Sequence, residues 1–209
     1  TEATAVGNYL VTVVAGELEI TQDTKAIVIT SADHSWTYDS KLHKDETYTV
    51  TYGGQTVTAG EDGKTFTLPN GDVLTITATA AGVTNVSDNA NNNNTYTYTI
   101  TRGTADTTGN YESITANVGT LTINPKTVTI TAEDANKPYD ATPLTQPLFD
   151  VTALEEDDTH TFTVVMTDDS TITDVGTQPN VIATVDGVAV TTGQATAVGN
   201  YLVTTAEGT

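Results

Sequence analysis

The 209 residues carry 27 acidic side chains against 7 Lys and Arg, a formal net charge of −20, and no cysteine. That balance argues against a phosphate-binding surface, which needs clustered cations, and against electrostatic docking to an anionic membrane face. Without cysteine there is no disulfide framework, thiolate metal site or cysteine nucleophile. No apolar run approaches the roughly 18 residues of a membrane span and no signal peptide is recognisable, so the chain reads as a soluble fragment or mature segment.

Threonine, at 48 residues, carries the secondary-structure signal. It is β-branched and suited to the pleated surface of a sheet. In chain order it alternates with apolar residues in Thr65-Phe66-Thr67-Leu68, Val73-Leu74-Thr75-Ile76-Thr77, Thr95-Tyr96-Thr97-Tyr98-Thr99-Ile100, Thr127-Val128-Thr129-Ile130-Thr131, Thr161-Phe162-Thr163-Val164 and Val181-Ile182-Ala183-Thr184-Val185. A period of two puts the apolar set on one face and Thr on the solvent face. Gly53-Gly54, Glu61-Asp62-Gly63, Asp168-Asp169-Ser170 and Asp186-Gly187 mark turns, and Leu68-Pro69-Asn70-Gly71-Asp72-Val73 and Val185-Asp186-Gly187-Val188 predict tight hairpins. No helical period is present, so helices are expected to be absent or limited to a turn. Short strands with regular turns predict an all-β chain of antiparallel sheets packed as sandwiches.

Self-similarity sets the expected organisation. Residues 4–12, Thr-Ala-Val-Gly-Asn-Tyr-Leu-Val-Thr, return unchanged at 196–204, and a looser copy, Thr108-Gly109-Asn110-Tyr111, lies between. The first two copies are followed by Gly16-Glu17-Leu18-Glu19-Ile20 and Gly119-Thr120-Leu121-Thr122-Ile123, then by a further strand and a Tyr-Asp pair, Tyr38-Asp39 and Tyr139-Asp140. The reading is three pieces: closing strands of a preceding unit at 1–21, a sandwich at 22–124, and a second at 125–209, with Pro125 as a stiff connection. The second unit is expected to lack its last strand, leaving an edge for residues 16–20 of another molecule in head-to-tail strand addition.

These landmarks (Gly7, Asn8, Tyr9; Gly109, Asn110, Tyr111; Gly199, Asn200, Tyr201; Tyr38, Asp39; Tyr139, Asp140) resemble the MBG/YDG repeats of bacterial surface proteins and adhesins. Lys137-Pro138-Tyr139-Asp140-Ala141-Thr142 is similar to the family turn, with Ala141 where Gly is usual; Ser35-Trp36-Thr37-Tyr38-Asp39-Ser40 has neither the Lys nor the Gly. The resemblance implies tandem immunoglobulin-like antiparallel β-sandwich modules on a bacterial cell surface, and no ligand. Physically, the landmark Tyr can bury its ring while its hydroxyl reaches backbone, Asn after Gly suits a left-handed position, and Asp after Tyr can accept backbone N–H groups.

Candidate sites are sparse. His34, His43 and His160 come with no catalytic signature, and the neighbours in Asp33-His34-Ser35 point to opposite strand faces, so no enzyme is expected. Glu155-Glu156-Asp157-Asp158, Asp168-Asp169 and Asp88 with Asn89 and Asn91 to Asn94 offer oxygen ligands of the kind Ca²⁺ takes, against the reading of solvated turns; no other cofactor is implied. Lys25 with Asn110, and Lys126 with Asn200, are candidates for a self-formed amide crosslink, which needs a buried Lys beside a carboxyl such as Asp39 or Asp140. The functional expectation is a non-enzymatic, extracellular stalk or adhesin repeat segment whose partners are neighbouring repeats. The alternative is a glycan- or mucin-binding module using Trp36 and the acidic and Asn-rich loops.

Overall fold

The computed structural model of the chain describes residues 3–152, 154 and 157–209. Strands take up 44% of it and helix 3%, so the chain is all-β. The helical turns among the described residues are two three-residue 3₁₀ turns, Val86–Asp88 and Thr108–Asn110.

The chain opens on a hairpin of β1 (Thr4–Val6) and β2 (Tyr9–Val11), turned by Gly7 at φ +63°. Residues 3–22 are exposed throughout. A first core follows, built on two four-stranded sheets. One runs β11 (Ile114–Asn117), β3 (Ile27–Ser31), β5 (Tyr48–Tyr52), β6 (Gln55–Val57). The other runs β10 (Ala105–Asp106), β9 (Tyr96–Arg102), β8 (Val73–Ala78), β7 (Thr65–Thr67). The two-residue period decides which side chains meet: Ile29 pairs with Val50 and Leu74 with Ile100, all fully buried, while Thr49, Thr97 and Thr99 face out. Burying each such aliphatic side chain contributes about 1.5–3 kcal/mol.

β4 (His34–Thr37) and β12 (Leu121–Asn124) pair with each other as a separate two-stranded sheet. Beyond Pro125, β14 (Phe149–Val151), β13 (Lys126–Ala132), β19 (Tyr201–Ala206) and β18 (Ala195–Val198) form one sheet; β15 (Val164–Met166), β16 (Ile182–Val185) and β17 (Val188–Ala189) form another. The second hydrophobic cluster joins Val128, Ile130, Ile182, Val185, Tyr201 and Val203 to four residues from earlier in the chain, Tyr38, Val83, Leu121 and Ile123.

Three departures from the sequence reading stand out. The sheets are not wholly antiparallel: β3 pairs with β11, β4 with β12 and β13 with β19 in parallel. Turn residues report only how consecutive strands connect, whereas these partners lie far apart in sequence and meet after the chain has crossed the other sheet. At residues 68–72 the hairpin forms, but not through a two-residue turn. Leu68 N–H bonds the Asp72 carbonyl at 2.8 Å, leaving Pro69-Asn70-Gly71 as a three-residue loop with only Gly71 left-handed, at φ +90°. Asp186-Gly187 is the expected two-residue turn, both residues at positive φ. Lastly, residues 161–163 are not strand, because Thr163 bonds Asp186 through both its N–H and its carbonyl.

Candidate strand-docking interface

Strand β12 is gripped along both edges. On one side β4 pairs with it from Leu121↔His34 to Asn124↔Thr37, extended by His34 N–H to Thr120 O (3.0 Å) and Tyr38 N–H to Asn124 O (2.9 Å). On the other side stand two asparagine side chains. Asn93 donates Nδ2–H to the Leu121 carbonyl (2.9 Å) and accepts the Leu121 N–H at Oδ1 (2.6 Å). Asn89 does the same for Ile123, at 2.9 and 2.7 Å. A primary amide offers a donor and an acceptor side by side, as a peptide group does, so two Asn four residues apart satisfy alternate residues of a strand edge.

The loop that presents them is set by Asp88, whose carboxylate accepts the N–H groups of Asn85 (2.8 Å) and Thr84 (2.9 Å); these bonds hold its carboxyl below the usual range. At the start of the strand, Asn94 N–H bonds Gly119 O (3.0 Å) and Asn94 Nδ2 bonds Ala32 O (2.9 Å). A Cβ on Gly119 would lie 2.6 Å from the Ser31 carbonyl oxygen, so the approach requires glycine. The Asp88 and Asn-rich loop, a cation candidate from sequence, thus captures backbone.

Leu121 and Ile123 bury their side chains in the second cluster, beside Tyr38, whose ring meets Tyr201 edge-on at 5.5 Å. Asn200 bonds the same loop: its Oδ1 accepts Val86 N–H (2.8 Å) and its Nδ2 donates to Asn85 Oδ1 (2.9 Å).

The landmark tyrosines take a different partner from the one expected. Tyr111 donates to Asp72 and Tyr201 to Asp158, both at 2.6 Å, so each hydroxyl meets a carboxylate and not backbone. Burial and the Asp72 bond push the Tyr111 phenol up to about 12. Tyr9, in the opening hairpin, is 76% exposed. The asparagines are not left-handed; Gly7 and Gly199 take that conformation, at φ +63° and +56°, because they lack a Cβ, while Gly109 and Asn110 lie in a 3₁₀ turn. Asp39 and Asp140 each accept the N–H two residues on, from Lys41 and Thr142, at 3.0 Å. Ser40 and Ala141 between them sit at φ +64° and +59°.

The histidines fall in two places. His34 and His43 sandwich Trp36, with ring centroids 4.1 and 4.8 Å away, and each is tethered to a carboxylate, Asp45 at 2.7 Å and Asp39 at 2.8 Å. Both indole faces are therefore covered, and a sugar stacking on Trp36 needs one of them. Asp33 accepts Thr120 N–H (2.6 Å) and is no partner of His34. His160 pairs with Asp186 (2.8 Å) and packs on Phe162.

The remaining candidates are dispersed. Lys25 is exposed with its ammonium 5.2 Å from the Tyr52 ring, so it lacks the burial a crosslink needs; Asn110 is exposed, and both amide atoms of Asn200 are committed to Asn85 and Val86. Lys126 starts β13 opposite Tyr201 and donates its N–H to Asn200 O at 3.0 Å. Asp39 and Asp140 close their own turns. Asp158 serves Tyr201, Asp157 pairs with Lys41 at 3.3 Å, and Asp168 and Asp169 lie in a turn; Glu155 and Glu156 fall outside the described residues. Among the described residues no three His, Asp or Glu gather as a metal site. Sequence reading missed the asparagine clamp, whose signal was the four-residue spacing of Asn89 and Asn93 set against Leu-x-Ile.

No family model, no curated protein and no solved structure matches this chain.

Proposed function

We propose that the chain is a non-enzymatic, extracellular stalk or adhesin segment of a bacterial surface protein, made of two immunoglobulin-like sandwich modules joined at β12. The observation that carries this reading is the parallel pairing of first and closing strands in each half, β3 with β11 and β13 with β19. When a chain is pulled from its ends, such a pair is loaded along the strand axis. All its hydrogen bonds then resist together, whereas a hairpin opened at its mouth breaks them one at a time. The buried junction through Leu121, Ile123 and Asn200 adds stiffness between the halves. A surface of outward Thr and net negative charge suits a hydrated exterior, and the landmark resemblance points to the same setting.

Single-molecule stretching tests it. The expected record is two high-force steps, each releasing roughly 25–30 nm of chain at about 0.35 nm per residue. Gradual extension at the force that unzips a hairpin overturns the load-bearing role.

A further inference from the structure

Asn70-Gly71 is the one Asn-Gly step in the chain, and it sits in the exposed loop between β7 and β8. Gly71 has no Cβ to shield its own amide nitrogen, and a Cβ built there would meet nothing within 4 Å, so both solvent and the preceding side chain can reach that nitrogen. An Asn in this position can modify itself without a cofactor. The Gly71 nitrogen loses its proton to water and attacks Asn70 Cγ, closing a five-membered imide. The side-chain nitrogen leaves as ammonia, taking its proton from water. A second water then opens the imide at one of its two carbonyls. One opening leaves Asp at position 70; the other leaves isoaspartate, whose main chain runs through the former side chain and is one CH₂ longer. The balance is Asn plus water to Asp plus ammonia, with no change of oxidation state.

The folded loop opposes each part of that reaction. The nucleophile is occupied, because Gly71 N–H donates to the Leu68 carbonyl at 2.8 Å. The side chain is held at both ends: Asn70 Oδ1 accepts Asp72 N–H at 3.1 Å, and Nδ2 donates to the Tyr111 hydroxyl at 2.8 Å. The main chain is held too, by Arg102 Nη2 on the Asn70 carbonyl at 2.7 Å. Tyr111 and Arg102 are themselves fixed by the buried Asp72, each at 2.6 Å. Swinging Asn70 Cγ onto the Gly71 nitrogen breaks the Leu68, Asp72 and Tyr111 bonds together.

We propose that Asn70 is a self-modification site, deamidating only when the loop leaves the Tyr111–Asp72–Arg102 network, and that its product prevents the network from closing again. The rate then follows the fraction of time the loop is open. The product is locked out by proton count. A hydroxyl has one proton to give, and Tyr111 already gives its proton to Asp72. A carboxylate at 70 has no N–H to offer the Tyr111 oxygen, and it sets a second negative charge beside the buried Asp72. Isoaspartate also lengthens the three-residue loop that closes Leu68 N–H onto the Asp72 carbonyl. Each chain that opens here and reacts is therefore marked permanently.

Peptide mass spectrometry of the full chain, incubated at mildly alkaline pH either folded or in guanidinium, tests this by the mass gain of replacing –NH₂ with –OH. The denatured chain is expected to react at Asn70 before its other asparagines, and the folded chain at least about tenfold more slowly. Tyr111→Phe and Arg102→Gln should each speed the folded reaction several-fold. Ile29→Val, which weakens the same core away from the loop, should leave the rate within about twofold. A rise in Ile29→Val matching that in Tyr111→Phe and Arg102→Gln assigns the reaction to global unfolding and overturns the gating. Equal rates for folded and denatured wild type overturn it as well, and an Asn70 that stays intact in the denatured chain overturns the site. Asn70→Asp carries the product's charge from the start and should lower the denaturant midpoint. Asn91→Asp adds the same charge at an exposed side chain with no hydrogen bond among the described residues, and should not. Equal midpoints for these two variants overturn the lock-out.

Discussion

Tyr111 donates its hydroxyl to Asp72, a carboxylate 39 residues earlier in the chain and 2% exposed, at 2.6 Å. The other Asp72 oxygen accepts Arg102 Nε at 2.6 Å. Burial alone raises a carboxyl pKa, but here the bonds from Tyr111 and Arg102 outweigh it and hold Asp72 below its ordinary value. Tyr111→Phe leaves that buried charge one donor short and is expected to cost about 1.5–3 kcal/mol by urea denaturation. Tyr98→Phe, whose hydroxyl makes no hydrogen bond among the described residues, is the control and should stay within about 0.5 kcal/mol.

Alkali should unfold the protein over a defined range. Tyr52, Tyr96 and Tyr111 are each pushed up to about 12, Tyr52 first by its bond to Asp23, Tyr96 by burial, Tyr111 by burial and then Asp72. A phenol whose folded value lies above its unfolded value near 10 contributes stability fully below about pH 10 and loses it as pH climbs through about 12. Phenolate absorbance followed alongside circular dichroism should show these tyrosines ionising only as the sheets melt.

Acid acts through groups shifted the other way. On Asp39, Asp45 and Asp72 burial raises the value, but hydrogen bonds from His43, from Thr47 and His34, and from Tyr111 and Arg102 lower it further. Their stabilisation is complete above about pH 4 and is lost as pH falls below it through the folded values. Denaturant midpoints measured from pH 6 downward should begin to fall there.

The asparagine clamp gives a sharper test. Removing Asn93 by Ala deletes two hydrogen bonds to Leu121 and should cost about 1–3 kcal/mol; the same holds for Asn89 and Ile123. Asn93→Asp keeps the acceptor for Leu121 N–H but sets a carboxylate oxygen against the Leu121 carbonyl. Hydrogen exchange at Leu121 should accelerate in both variants, while exchange at Ile29 in the first core should not.

Ala141 sits at φ +59°, where a Cβ is unfavourable. Ala141→Gly should stabilise by about 1 kcal/mol, because the relief exceeds the entropy glycine adds to the unfolded chain. Ser40→Gly, at φ +64°, should gain less, since Ser40 Oγ donates to the Tyr38 hydroxyl at 3.1 Å.

Local rules made much of this legible. Strict alternation put Leu74, Ile76 and Ile100 inside, and Asp186-Gly187 needed only its own backbone preferences to turn. The nine-residue copy at 196–204 even forms the same hairpin as 4–12, with Val198 opposite Tyr201 as Val6 is opposite Tyr9. Parallel pairing was not legible, because nothing in Ile27 or Ile114 records the direction from which the other arrives. Nor was the indole sandwich: His34 is two residues from Trp36, but His43 arrives on a loop whose path depends on Asp39 and Asp45. The asparagine run illustrates the general reason. Its composition reads as a solvated loop, and only the placement of β12 across it turns amides into a surrogate strand.

That surrogate has an evolutionary consequence. Asn89 and Asn93 recognise peptide groups, which every residue has, so the outward positions of β12, Thr122 and Asn124, are free to drift. The branched side chains at 121 and 123, the Thr120 hydroxyl that accepts Asn92 N–H, and the glycine that lets the strand enter constrain it. A strand held this way reads its surroundings through its backbone, so substitutions at 122 and 124 leave the asparagine bonds to Leu121 and Ile123 in place.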